Sequence, residues 1–239
     1  MRSPLEDGCE WLILEGVEST QKVAEGLLRE GSKVGIVLAR EQTQGRGRFG
    51  RSWLTGPNDS LTMTMIYRPY AAHPAPHLVG MAVALAVASS IHCQLQWPND
   101  LVIEGKKVGG ILTELKQAEG LGLVPLVGIG INLNQDRFPA EIEDRAVSLH
   151  QAHGGQYKPE EVAFDIVERL SALPEPMSWS DLAPVWSVFD KTPGKQYTLP
   201  NREKAQAIAI GSGGQLLCSV NGESHSVLAA DAIFGTSSS

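Results

Sequence analysis

Hydrophobic and polar positions follow two rhythms along this chain, and each change of rhythm marks an element. Val34-Gly-Ile-Val-Leu-Ala39 is an unbroken apolar run, as expected of a buried strand. Leu61-Thr-Met-Thr-Met-Ile-Tyr67 alternates and predicts a half-buried strand. Val108 to Leu115 and Leu123 to Leu133 predict two more. Between them the spacing turns helical. Ser19 or Thr20 is placed to cap a helix that runs to Glu30 and stops at Gly31. Leu78 to Leu95 predicts an Ala-rich, mostly buried helix. Pro159 opens a third, with Val162, Ile166, Val167 and Leu170 on one face. No regular strand–helix–strand repeat appears, which favours an α+β class with a mixed sheet over a doubly wound parallel one.

The pattern changes near residue 174. Leu173-Pro-Glu-Pro176 and Pro193-Gly194 are breakers. After them come short apolar stretches at Tyr197–Leu199, Ala205–Ile210, Leu216–Val220 and His225–Leu228. Gly211-Ser-Gly-Gly214 and Asn221-Gly222 separate them, and Asn-Gly between apolar runs is a hairpin signal. These features predict a small β-barrel of roughly fifty residues and a division into residues 1–187 and 188–239. Thr236 to Ser239 are expected to fray.

Composition narrows the class. The chain has 239 residues, 42% of them hydrophobic, enough for a real core. Its 20 basic and 27 acidic residues give a net charge of −7. The molecule as a whole should repel nucleic acid and anionic lipid, so any anion site must be built locally. Cys9, Cys93 and Cys218 lie far apart, which suits a reducing compartment. Glu6 and Asp7 spoil a leader peptide. The longest apolar run, Leu78 to Ala88, is far short of the ~18–20 residues that cross a bilayer. The expectation is a soluble, cytoplasmic protein with no DNA and no membrane partner.

The most informative segment is Glu41-Gln-Thr-Gln-Gly-Arg-Gly-Arg-Phe-Gly-Arg-Ser-Trp53. Gly45, Gly47 and Gly50 spell G-x-G-x-x-G, yet Ser52-Trp-Leu-Thr-Gly-Pro-Asn-Asp follows and cannot carry the helix that a dinucleotide fingerprint needs. Between Ser60 and Ile103 the only acid is Asp100, so the ribose-binding acid is missing too. What remains is a local anion loop: four arginines and one glutamate between Arg40 and Arg51. Its glycines leave the backbone free to wrap a ligand and expose N–H donors. In extended backbone Arg46 and Arg48 point to one side, and arginine makes two-pronged bonds to phosphate or carboxylate. Trp53 offers a flat face for a base or ring. The competing reading is a solvated basic turn.

A second constellation, Gln96-Trp-Pro-Asn-Asp-Leu-Val-Ile-Glu-Gly-Lys-Lys-Val-Gly-Gly-Ile-Leu112, places a Trp-Pro-Asn-Asp corner before a hairpin with Glu104-Gly-Lys106 as its turn. Pro98 fixes the corner and frees Asn99 and Asp100 to point at a ligand. Lys107 stands beside Gly109-Gly110, where a bare backbone lets a ligand come close; taken alone, it reads as a solvated hairpin residue. In Gly128-Ile-Gly-Ile-Asn-Leu-Asn134, Asn132 either faces a nucleotide or forms a turn. His73 with His77, His150 with His153, and His92-Cys93 lack metal or nucleophile spacing, and no structural metal is expected.

Together the three motifs resemble those of the biotin protein ligases, over Val17 to about Asn134. Gly45-Arg-Gly-Arg-Phe-Gly-Arg-Ser-Trp53 is similar to the family's biotinoyl-adenylate loop; Trp97-Pro-Asn-Asp100 and Lys107-Val-Gly-Gly-Ile-Leu112 are similar to its second and third motifs. The resemblance implies a catalytic domain like the class II aminoacyl-tRNA synthetases and an SH3-like C-terminal barrel. It implies an enzyme that activates biotin with ATP and Mg²⁺ and passes it to a lysine of a biotin carboxyl carrier protein, as a monomer or homodimer. Ser19, Thr20 and Gln21 fall on the biotin contact, where Gln21 replaces the usual asparagine. Gln42, Arg46, Gly47, Arg48 and Lys107 fall on the remaining biotin and adenylate contacts. Trp53, Asn99 and Asn132 are the further ATP-site candidates. Arg48, Lys107 and Asp100 are the catalytic ones, with Asp100 either orienting the attacking amine or taking its proton, or else serving as a structural corner. Fewer than twenty residues precede Ser19, too few for a helix-turn-helix domain, so the ligase-only form is expected. A lipoate ligase of related fold is the nearest rival, and a nucleic-acid binder the rival from another class.

Overall fold

The computed structural model describes residues 9–53, 55–199, 201, 203–228 and 234–235. The expected frayed tail at Thr236–Ser239 lies outside them. The elements run β1 (Glu10–Leu14), α1 (Thr20–Arg29), β2 (Val34–Ala39), β3 (Gly45–Arg46), β4 (Ser52–Trp53), β5 (Ser60–Ile66), α2 (Pro76–Ile91), β6 (Gln94–Gln96), β7 (Asp100–Ile103), β8 (Lys106–Ala118), β9 (Gly122–Asn132), α3 (Leu149–His153), α4 (Pro159–Ser171), α5 (Trp179–Phe189), β10 (Gln196–Thr198), β11 (Lys204–Ile210), β12 (Leu216–Val220), β13 (Glu223–Val227) and β14 (Phe234–Gly235).

Seven strands form a mixed sheet in the order β1-β2-β5-β9-β8-β7-β6; β1 and β2 are parallel and every other pair is antiparallel. One face carries Ile36, Leu38, Met63, Met65, Ile111, Val127 and Ile129, packed in one core with α2 and α4. Gly80 brings α2 against the sheet, since a Cβ there would stand 2.2 Å from Thr113 Oγ1. The other face is half covered by α1, whose Ala24 and Leu28 meet Val37, Ile66 and Leu126.

That second layer explains one departure from expectation. All seven residues of β5 are buried. Thr62 and Thr64 are not on a wet face. Thr62 donates its hydroxyl to Ala39 O, and Thr64 donates to Thr20 Oγ1 at the start of α1. A second departure concerns α2. It starts with Pro76 in its first turn and ends at Ile91, because His92 turns left-handed (φ 52°), so Gln94–Gln96 are free to form edge strand β6. α3 and α5 carried no apolar periodicity strong enough to predict. Each begins with a serine capping box, Ser148 with Gln151 and Ser178 with Asp181, and α5 tolerates Pro184 inside it.

β10 to β14 make a five-stranded antiparallel sheet in the order β13-β12-β11-β10-β14, with the predicted hairpin at Asn221-Gly222, both at positive φ. Tyr197, Ala205, Leu216 and Cys218 of this sheet belong to the main core, and the corner motif is one of its anchors. Trp97 donates its backbone N–H to Thr192 Oγ1 (2.9 Å) and its indole N–H to Gly214 O (3.0 Å), and Tyr197 donates its hydroxyl to Trp97 O (2.7 Å). Among the described residues no helix is long and apolar enough to cross a membrane.

Candidate active site

The uncovered half of the α1 face is a floor made of glycine. Gly110 of β8 pairs directly with Gly130 of β9, and Leu112 pairs with Gly128. Side chains alternate along a strand, so Gly110, Gly128 and Gly130 open on the same face as Thr62 and Thr64. Three groups of side chains stand around this glycine patch and partly over it.

The first is polar and mostly uncharged. The N-terminus of α1 presents Ser19, Thr20 and Gln21, all buried. Gln42 Oε1 accepts from Thr20 N (2.7 Å) and from Thr20 Oγ1 (3.1 Å), while Gln42's own backbone is tied to Thr55 Oγ1. Gln21 leans over Gly128 and donates to Glu114 Oε2 (3.1 Å).

The second is the glycine-arginine loop. It is a two-stranded ribbon, β3 with β4, and not a helix start. A Cβ on Gly45 would lie 2.6 Å from Trp53 O, so the ribbon requires glycine there. Two expectations are corrected here. Gly47 does not offer its N–H to a ligand, because it closes the turn onto Arg51 O (2.7 Å). Arg46 and Arg48 do not share an extended segment, because a 3₁₀ turn begins at Arg48. Arg46 instead lies near Glu18, whose carboxyl is held below its ordinary value first by its hydrogen bond and charge from Lys22, with Arg46 adding to the effect. Arg48 reaches the corner motif, its Nη1 3.5 Å from Asn99 Oδ1. Burial lowers the Arg48 guanidinium from its ordinary value; Asp100 opposes that shift and Arg51 reinforces it. Trp53 lies on Gly130, with its Cε2 2.7 Å from where a Cβ would be, and its indole N–H is buried without a partner.

The third group is the corner and hairpin. A cis peptide joins Trp97 to Pro98. Asn99 donates its amide to Ile111 O (2.6 Å), which leaves Oδ1 facing Arg48. Lys107 donates to Asp100 in a close ion pair. A Cβ on Gly110 would lie 3.5 Å from Lys107 Nζ, so the ammonium stands at the rim of the floor. Arg48, Asn99, Asp100 and Lys107 are thus brought together. Asn132 lies on the same face two residues beyond Gly130, but its amide donates to Val147 O (3.1 Å) and it is 6% exposed, so it fastens the segment that runs alongside β8. Among the described residues no three His, Cys, Asp or Glu side chains gather as a metal site.

A glycine-lined sheet surface with a neutral polar wall at one side, the Trp53 ring over part of it and clustered cations at the other is suited to holding a ring next to a carboxylate or phosphate. Residues 14–132 match the model of the biotin/lipoate A/B protein ligase family, and the chain belongs to that family through this segment, which contains all three motifs and the glycine floor. The bifunctional ligase/repressor BirA of Bacillus spizizenii is 40% identical over 147 residues, covering 58% of this chain and 45% of its own length. The biotin–[acetyl-CoA-carboxylase] ligase of Paracoccus denitrificans is 36% identical over 161 residues, 62% of this chain and 66% of its own. The chain thus spans about half to two thirds of these relatives. The biotin protein ligase of Aquifex aeolicus, solved in complex with biotin and ATP, superposes with a TM-score of 0.73 at 26% identity, over 93% of this chain and 97% of that one. The fold is therefore that of the biotin protein ligases, a mixed sheet with helices followed by a C-terminal antiparallel sheet.

Proposed function

We propose that the protein is a biotin protein ligase: it activates biotin as biotinoyl-5′-AMP and transfers it to a lysine of a carboxyl carrier protein. The observation that carries this reading is the run of glycines at Gly110, Gly128 and Gly130, with Gln21 over Gly128 and Trp53 over Gly130, flanked by Thr20–Gln42 on one side and Lys107–Arg48 on the other. The ring of biotin would lie at the neutral end by Ser19, Thr20, Gln21 and Gln42. Its carboxylate and the ATP phosphates would meet at the cationic end by Arg48 and Lys107, with Arg46 on the Glu18 side and Gly47 in the ribbon turn between the two arginines. Asn99, Trp53 and Asn132 complete the proposed ATP side, Asn132 through the segment it fastens.

In the first step a carboxylate oxygen of biotin attacks the α-phosphorus of ATP, and the bond to the β-phosphate oxygen breaks as pyrophosphate leaves. Two anions must approach, so the contribution of Arg48 and Lys107 is charge neutralisation and alignment. In the second step a neutral lysine amine attacks the acyl carbon, the mixed-anhydride C–O bond breaks, AMP leaves, and the amine's proton passes to Asp100 or to bulk water. Asp100 is held by Lys107 at the edge of the floor, where it is placed to orient that amine. No protein nucleophile is needed. Magnesium has no cage of protein carboxylates among the described residues; it would come as the counter-ion of the ATP phosphates.

The proposal extends to the finer architecture: a synthetase-like class II domain over 1–187 and an SH3-like unit over 188–239, in keeping with the change of sheet between α5 and β10. It also includes a cytoplasmic location, no DNA or membrane partner, and a monomer or homodimer. The test is isotope exchange between pyrophosphate and ATP. Exchange should depend on biotin and stay at background with lipoate or octanoate; the reverse preference overturns the reading in favour of a lipoate-type ligase.

A further inference from the structure

One carboxylate near the floor has no part in the chemistry above. Glu114 sits on β8, four residues beyond Gly110 and on the same face, and its Oε2 accepts from Gln21 Nε2 at 3.1 Å. Glu114 also lies 3.8 Å from Lys116, which has its own carboxylate partner in Glu25 at 3.0 Å. Gln21 is 5% exposed. Its other amide atom, Oε1, is buried with no hydrogen-bond donor and rests 3.4 Å from the Cβ position of Gly128.

An amide has two ends of opposite character, and its two orientations fill the same space. A carboxylate only accepts, so it selects one of them: the NH₂ must face Glu114, and the carbonyl must face the floor. A buried acceptor without a donor is costly to leave unmatched, and the missing partner is an N–H. We propose that Glu114 is a specificity-determining residue: by locking the Gln21 amide, it makes the floor above Gly128 demand a ligand with a ring N–H, as in a cyclic urea. This inference rests on the biotin reading and deepens it, because the ureido ring of biotin carries that donor and the acyl chain of lipoate or octanoate has none. It also accounts for glutamine at position 21, whose extra methylene lets one side chain span from α1 to both Glu114 and the floor.

The test compares two ligands on three proteins. The ligands are biotin and biotin methylated on its ureido nitrogens; the proteins are wild type, Glu114→Gln and Glu114→Ala. Calorimetry gives the affinities, and the exchange assay gives KM for biotin and for ATP. Wild type should prefer biotin over the methylated ring. Glu114→Ala frees the amide to turn, so biotin binding should weaken by about tenfold, while the methylated ligand and KM for ATP should not move. Glu114→Gln, whose carbonyl still accepts from Gln21, should fall between. If Glu114→Ala keeps the full preference for the unmethylated ring, or weakens both ligands and ATP alike, Glu114 is a packing residue and the inference is overturned while the ligase reading stands. If wild type binds no biotin at all, both fall together.

Discussion

Gly109 and Gly110 are neighbours on β8, yet alanine should do opposite things at the two positions. Gly109 points into the core. A Cβ there would stand 2.5 Å from Gly130 O and 2.8 Å from Leu101 Cδ1, and a paired backbone oxygen cannot step aside. Overpacking of this kind typically costs ~1–3 kcal/mol, so Gly109→Ala should melt about 2–12 °C lower, at roughly 2–4 °C per kcal/mol for a chain of this size. Gly110 points at the floor. Its added Cβ would have nothing nearer than Lys107 Cε and Nζ at 3.5 Å and Asn99 O at 3.6 Å, all ordinary contacts. Alanine also restricts the unfolded chain, which stabilises by ~0.4–1 kcal/mol where the backbone tolerates it. Gly110→Ala should therefore melt at or slightly above the wild-type temperature. A ligand lying on the floor would nevertheless have to rise by an ångström or more, since carbon atoms pack at ~3.5–4.0 Å, and a misplacement of ~1 Å can cost ~100-fold in rate. The measurements are thermal denaturation and biotin-dependent pyrophosphate exchange on both variants. A Gly110→Ala enzyme that exchanges at the wild-type rate would refute the claim that the reactants lie on this glycine surface.

Three further outcomes follow from the same geometry. Lys107→Ala removes a charge-assisted contact worth ~1.5–3 kcal/mol, so biotin-dependent exchange should drop about ten- to a hundredfold, whereas Lys106→Ala, on the opposite side of the strand with only a 3.4 Å reach to Glu143 O, should be nearly silent; equal losses would mean the hairpin acts only as a fold element. Arg48→Gly should still make some adenylate but release it sooner, seen on a biotin blot as labelling of an unrelated lysine-rich protein, and no excess labelling despite measurable synthesis would remove Arg48 from that role. Finally, burial pushes the Cys93 thiol up from 9.0 to about 12, and burial likewise raises Tyr67 and Tyr197. A raised value means the folded state holds its proton longer than the unfolded chain, so this stability is complete below pH 9 and should be lost progressively as pH rises toward 12. A flat urea midpoint across that range would contradict it.

The strands and the site's polypeptide corners were legible because their signals are local. An unbroken apolar run needs two covered faces, and β2 has them; Asn221-Gly222 and Glu104-Gly105 turn the chain by their own conformational preferences. The three motifs could be read for the same reason. The neighbourhood of each side chain was not legible. Whether Thr62 and Thr64 face water depends on where α1 lies, and nothing in β5 encodes that. Gly47 looks like a free donor until Arg51 turns back on it. Glu114 carried no signal at all: one acid on an alternating strand is ordinary, and only the register of β8 brings it to Gln21, 93 residues away. α5 was hidden by Pro184, although the serine–aspartate box at its start was there to be read.

The three hydrogen bonds that hold Trp97 span 95, 100 and 117 residues, and each uses a partner from the last quarter of the chain. Closing loops of that length is slow and unfavourable until the distant partner is present. A ribosome makes the chain from the N-terminus at ~5–20 residues per second, so seconds pass between the synthesis of the Trp-Pro-Asn-Asp corner and the arrival of Thr192, Tyr197 and Gly214. In the later part of that interval the residues of the glycine floor and the arginine ribbon have been made, but not the partners that brace the corner. The order of synthesis thus leaves the bonds that brace the corner to the last quarter of the chain.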